Sequence, residues 1–191
     1  MKNLDTFKDK KLILMCSGGS DSTALVYKLA NLCDSEELER SRVLVFHFDH
    51  GLHEEASVHD AVFVECLAAH FYFKFSCKRA TKGQIQDGEG QNLEGSARVA
   101  RFSAAFEAAK DFAKSESFYL LTAHTLDDRI ETFFMRSIVG TGPGGLRSIT
   151  FDSGIPQVKH PLIDCTRAEL REYLENHPRP FFMDGQLGCE E

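Results

Sequence analysis

The residues best placed for chemistry begin with Ser17-Gly18-Gly19-Ser20-Asp21-Ser22. Two glycines and three hydroxyls follow an apolar run and precede a helix-forming one. Glycine lets a backbone approach a phosphate and take positive φ. A helix that starts there offers unpaired N–H groups and the positive end of its dipole. The serine hydroxyls add further donors. Asp21 is the informative exception, because a carboxylate beside a phosphate makes sense when Mg²⁺ lies between them. The hexapeptide is neither a G-x-x-x-x-G-K-[ST] loop nor a G-x-S-x-G nucleophile elbow. It predicts a nucleotide bound through its phosphates.

A second group is His124 with Asp127, Asp128 and Glu131. The three acids fall on the first turns of one helix at neighbouring positions. Such close carboxylates repel one another unless a cation joins them, and both Mg²⁺ and a substrate ammonium qualify. One of them could also take a proton from an attacking amine. The competing account is a capping box, Thr125-x-x-Asp128, with acids favoured at the helix N-terminus. Arg98 and Arg101 stand three apart on another helix. Arg98 either pairs with Glu94 or stabilises developing negative charge. His47, His50 and His53 suggest a metal by spacing, but on a strand His47 and His50 point to opposite faces. His50 is read instead as lining the nucleotide pocket.

These residues need elements to position them. Strands are predicted over 11–16, 43–48, 71–77 and 118–123, with a short one within 155–163. Helices are predicted over 22–32, 57–70, 92–114, 126–139 and 166–176, with Ser57 and Thr166 as N-caps. Residues 81–91 read as a loop, and Gly140 to Gly145 end the fourth helix. Strands alternating with helices imply an α/β fold, a Rossmann-like parallel sheet with helices on both faces. Ligands then sit beyond the carboxyl ends of the strands. The turns after Cys16, Phe48 and Ala123 all fall there.

The 191 residues suit one α/β domain. No apolar run reaches the ~20 residues that span a bilayer. Six cysteines without a C-x-x-C pair predict reduced thiols in the cytoplasm. A net charge of −7 speaks against a generic nucleic-acid binder. Eight arginines nevertheless crowd the second half, Arg98, Arg101, Arg129, Arg136, Arg147, Arg167, Arg171 and Arg179. A local basic face can exist on an acidic protein.

Ser-Gly-Gly-x-Asp-Ser resembles the pyrophosphate (PP) loop of the N-type ATP pyrophosphatases, whose fold is adenine nucleotide alpha hydrolase-like. Further stretches resemble successive motifs of the tRNA(Ile)-lysidine synthases. They are His50-Gly51-Leu52, Asn92-Leu93-Glu94-Gly95-Ser96-Ala97-Arg98 and Ala123-His124-Thr125-Leu126-Asp127-Asp128-Arg129-Ile130-Glu131-Thr132. Gly140 to Leu146 and His160-Pro161-Leu162-Ile163 complete the series.

The resemblance implies ATP and Mg²⁺ as cofactors. It implies ligation of L-lysine to C2 of the wobble cytidine in an isoleucine tRNA with a CAU anticodon, through an adenylated cytidine. Ser17 to Ser22 and His50 are then nucleotide-binding, and Asp21, Arg98, His124 and Asp128 catalytic. Asp127, Asp128 and Glu131 receive the lysine, and Asp21 and Asp128 hold the metal. Another PP-loop ligase or tRNA thiolase, and a non-catalytic nucleotide- or tRNA-binding module, are the alternatives.

His53 replaces a frequent Arg, and Arg129 a frequent Gln, which sets a cation beside the acids. A catalytic domain over 1–184 and a tail over 185–191 are expected, without the C-terminal tRNA-gripping domains usual in that family. Dimerisation is one way to extend a tRNA-binding surface.

Overall fold

A computed structural model describes residues 6–51, 54–81, 93–140 and 148–177. Within them five strands and five α-helices alternate: β1 (Lys11–Met15), α1 (Ser20–Asp34), β2 (Val43–Asp49), α2 (Glu54–His70), β3 (Lys74–Arg79), α3 (Leu93–Ala113), β4 (Phe118–Leu121), α4 (Leu126–Val139), β5 (Val158–Lys159) and α5 (Arg167–Glu175). The strands form one parallel sheet in the order β3-β2-β1-β4-β5. No helix among the described residues is long and apolar enough to cross a membrane.

The two-residue period of a strand divides the core. Leu12, Leu14 and Cys16 of the β1 segment, with Val43 and Val45 of β2, face α1, α2 and α5 through Leu25, Leu29, Leu67, Leu170 and Leu174. Ile13 and Met15, with Leu44, Phe46 and Phe48, face α3 on the other side. There α3 presents Ala100, Ala104, Ala105, Ala108 and Ala109. Small residues at that spacing let its backbone lie close to the sheet. The predicted fold class is observed, with helices on both faces.

Three element starts differ by two residues or more. β3 begins at Lys74 rather than 71, because Tyr72 takes φ of 57° and turns the chain after α2. α2 begins at Glu54, so Ser57 lies inside the helix and is not its N-cap. α1 begins at Ser20, two residues early, with Gly19 as N-cap. The Thr166 cap of α5 is as predicted: its hydroxyl accepts from the Glu169 N–H, and Glu169 accepts from the Thr166 N–H. Most of the 81–91 loop, Leu52, His53, Asn92, the glycine run after Gly140 and the 184/185 boundary lie outside the described residues.

Candidate active site

β1 lies between β2 and β4, so the chain leaves its carboxyl end beside strands reached by crossovers in opposite directions. Such a switch point opens a crevice. Here it is a cleft of about 560 Å³, lined by the Ser17–Ser22 loop, by His47 to His50, by Asp60 and Arg101, and by Thr122 to His124. The three turns singled out in the sequence therefore meet.

Gly18 has φ of 91°, which a side chain rarely tolerates. Gly19, as N-cap, contributes no capping side chain. The first-turn N–H groups of α1 thus lack the usual side-chain partner and face the cleft as an anion site. The hydroxyls divide their labour. Ser22 is buried and donates to the Gly19 carbonyl at 2.9 Å. It also accepts from the Cys16 thiol at 3.5 Å, so it braces the loop from behind. Ser17 Oγ accepts weakly from the Gly19 N–H at 3.4 Å, and Ser20 reaches Asp21 Oδ1 at 3.4 Å. Both are exposed to a ligand.

On the opposite wall, β2 ends at Asp49 and the turn brings His50 into the same cleft as His47. This corrects the expectation from strand alternation, which placed the two on opposite faces. His47 Nδ1 lies 2.9 Å from the Cys16 carbonyl oxygen. His50 Nδ1 is buried without a hydrogen-bond partner. Burial, then the Arg101 charge, lower the His50 pKa, so the ring is neutral. Arg101 has a buried Nε with no partner. Two orphaned polar atoms on one cleft wall invite a ligand with complementary groups. Arg98 stands on the exposed lip, its guanidinium 5.2 Å from the centre of the Phe102 ring, beside His160. The cleft wall therefore carries Arg101, and the arginine singled out for charge stabilisation faces the adjoining groove.

His124 does not act alone. Thr122 Oγ1 lies 2.6 Å from Nδ1 of both His124 and His160. The two rings meet edge to face at 4.7 Å. One hydroxyl proton can serve one ring, and its oxygen can accept from the other. Burial, outweighing the attraction of Asp128, lowers the His124 pKa. Burial, with His124 and Arg98 nearby, pushes His160 down to about 4. Both imidazoles are neutral near pH 7.

The acidic group is organised by Arg167, the first residue of α5. Its Nη1 donates to Glu131 Oε1 at 2.6 Å, and its Nη2 to Asp128 Oδ1 at 2.5 Å. Its Nε lies 3.8 Å from Asp21 Oδ2. The cation that joins the carboxylates is thus already in the chain. Asp127 turns aside and accepts from the Arg167 backbone N–H at 2.8 Å, holding the start of α5. The capping box at Thr125 is real: Asp128 Oδ2 accepts from the Thr125 N–H at 2.7 Å. Burial raises the Asp128 pKa, but hydrogen bonds from Thr125 and Arg167 together hold it below the ordinary range. That makes Asp128 a weak proton acceptor. Asp21 shifts the other way, raised by burial against the pull of Arg167. Arg129 reaches Asp164 at 3.9 Å, so the cation beside the acids is Arg167 and not Arg129.

Mg²⁺ usually takes one or two carboxylates and completes its shell with phosphate oxygens and water. Asp21 suits that role, being on the anion loop with only long contacts at 3.4 and 3.8 Å. Both Asp128 oxygens are already engaged. Among the described residues no three His, Cys, Asp or Glu side chains converge as a metal cage.

Sequence reasoning missed Arg167, Arg101, Thr122 and His160 as partners of the site. His160 stood in a quoted motif, and Arg167 follows a legible cap. What joins His160 to the cleft is the pairing of β5 with β4, and what brings Arg167 there is the packing of α5 against α1; Arg101 arrives through the packing of α3 on the sheet.

A family profile described as a PP-loop domain matches residues 1–186. A tRNA(Ile)-lysidine synthase from Thermus thermophilus is 38% identical over 164 residues, covering 85% of the chain and 29% of the relative. One from Symbiobacterium thermophilum is 33% identical over 175 residues, covering 87% and 34%. The chain thus spans about a third of the length of these relatives. A U34-tRNA thiolase from Methanococcus maripaludis shares the fold, with a TM-score of 0.65 at 18% identity over 92% of the chain and 62% of that protein. An NH3-dependent NAD synthetase from Campylobacter jejuni shares it at a TM-score of 0.52 and 16% identity, over 92% and 69%.

Proposed function

Because the chain belongs to the PP-loop domain family, we propose that it uses ATP to activate a tRNA base, and that the base is the wobble cytidine of a CAU-anticodon isoleucine tRNA. The observation that carries this reading is the pairing of an anion site with an acidic one. The uncapped start of α1 lies on one side of Asp21, and Asp128 and Glu131 lie on the other.

The polyphosphate rests on the N–H groups after Gly18, with Ser17 and Ser20 donating from the rim. Asp21 would hold Mg²⁺, which would supply charge neutralisation at the phosphates. The cytidine O2 attacks the α-phosphorus and pyrophosphate departs, leaving an adenylated base. Arg101 on the cleft wall faces the negative charge that gathers in this step, while Arg98 on the lip faces the adjoining groove. His50 and the neutral His124 offer ring nitrogens to the nucleotide. Lysine then presents its ammonium group to Asp128 and Glu131. Once deprotonated, the amine attacks C2, and AMP departs with the former O2. With Asp128 a weak base and Asp21 assigned to the metal, the AMP phosphate is the better proton acceptor.

The test is direct. Incubation with ATP, Mg²⁺, labelled lysine and the CAU-anticodon tRNA transcript should yield labelled tRNA, AMP and pyrophosphate. AMP formed only with another acceptor would reassign the substrate. ATP binding with no turnover under any acceptor would make the chain a binding module.

A further inference from the structure

Arg167 closes the place where a substrate ammonium is expected. Its guanidinium is bidentate on Glu131, through Nη1 at 2.6 Å and Nη2 at 3.3 Å, and also holds Asp128. A second cation cannot share these two carboxylates without meeting the first. The backbone beneath is fixed, since the Arg167 N–H is held by Asp127 and α5 is capped by Thr166 and Glu169. The side chain is about a third exposed, at 35%. It has a third partner in the direction of the anion loop, Asp21 at 3.8 Å.

We propose that Arg167 is a placeholder cation with two positions: it holds Asp128 and Glu131 while the site is empty, and moves towards Asp21 and bound polyphosphate to admit the lysine ammonium. The inference rests on the reading of Asp128 and Glu131 as the lysine seat. Its physical content is an exchange of one cation for another. The empty site keeps two neighbouring carboxylates compensated, and ATP supplies the negative charge that draws the guanidinium away. Nucleotide and lysine therefore bind with positive linkage through one side chain, each tightening the other by the same factor. Arg167 is a positioning residue in this scheme, acting on the acids that receive the amine.

The test is calorimetric titration of L-lysine into wild type, Arg167→Gln and Arg167→Lys, each with and without a non-hydrolysable ATP analogue. In wild type the analogue should tighten lysine binding. Without nucleotide, Arg167→Gln should bind lysine about two- to fivefold more tightly, the range expected when competition from a partly exposed ion pair is removed. The analogue should then have little further effect. Arg167→Lys loses the bidentate grip and should fall between.

Lysine bound equally or more weakly by Arg167→Gln, or tightened by the analogue as much as in wild type, overturns the proposal. If that variant does not melt cooperatively, Arg167→Lys decides: tighter binding than wild type supports the exchange, and equal or weaker binding overturns it. Wild type that neither binds lysine with the analogue nor transfers it to tRNA removes the functional reading, and the inference with it. Wild type that does both while the variants show no linkage removes the inference alone.

Discussion

Asp128 divides its oxygens between two duties, one towards the Thr125 cap and one towards Arg167. An asparagine in its place keeps an acceptor for the cap but loses the charge. Asp128→Asn should therefore lower lysine transfer by roughly 10- to 100-fold, the loss expected when the substrate ammonium is deprived of a charged hydrogen-bond partner, while ATP binding, measured by titration, stays within about twofold. A fully active variant would exclude Asp128 from the reaction. His160 gives a second prediction at this scale. Its pKa is about 4 in the folded protein against an ordinary value of 6.5. Above pH 6.5 both folded and unfolded chains hold it neutral, and its stability contribution is complete. As pH falls from 6.5 to 4, the unfolded state takes up a proton that the folded state refuses, and stability drops. The whole effect is at most about 3 kcal/mol. Melting temperature should fall over that window more steeply in wild type than in His160→Gln.

At the scale of elements, local chemistry was legible wherever a short motif and an apolar pattern agreed. The turn from β1 into α1, the Thr166-x-x-Glu169 cap and the apolar strands were all readable. The Phe71–Phe73 stretch was not, because alternating aromatics mimic a strand and the positive φ of Tyr72 carries no clear local signature. The acidic triplet was legible as a cluster but not in its division: Asp127 serves α5, and Asp128 divides between its own cap and Arg167, on a helix that lies some forty residues later. Arg101 was weighed on the same helix as Arg98, but only the packing of α3 on the sheet shows which of them reaches the cleft. Because α5 carries Arg167, its cap bears on the site. Thr166→Ala should cost about 1 kcal/mol in urea denaturation, and should weaken the linkage between nucleotide and lysine by loosening the base of Arg167.

At the scale of the molecule, the net charge of −7 opposes the proposed tRNA substrate, so on that reading the cationic region is local. Arg98, Arg129 and Arg136 line a broad groove beside α4 together with the exposed Phe133 and Phe134. Reversing Arg129 and Arg136 to glutamate should weaken tRNA binding and lower the slope of log affinity against log salt by about two. ATP binding, at the separate cleft lined by Arg101 and His124, should not change. The sheet order has a consequence in time as well as space. During synthesis, β1 and β2 leave the ribosome early and can pair at once, since Leu12 lies opposite Val43. The other flank of β1 pairs Lys11 with Phe118, so it waits until the chain has been made as far as β4. The anion loop is thus translated near the beginning, yet the walls of its cleft are completed only when β4 arrives. A nascent chain halted before β4 carries the most recognisable motif of the family while one flank of its central strand stands open, a ready edge for another chain.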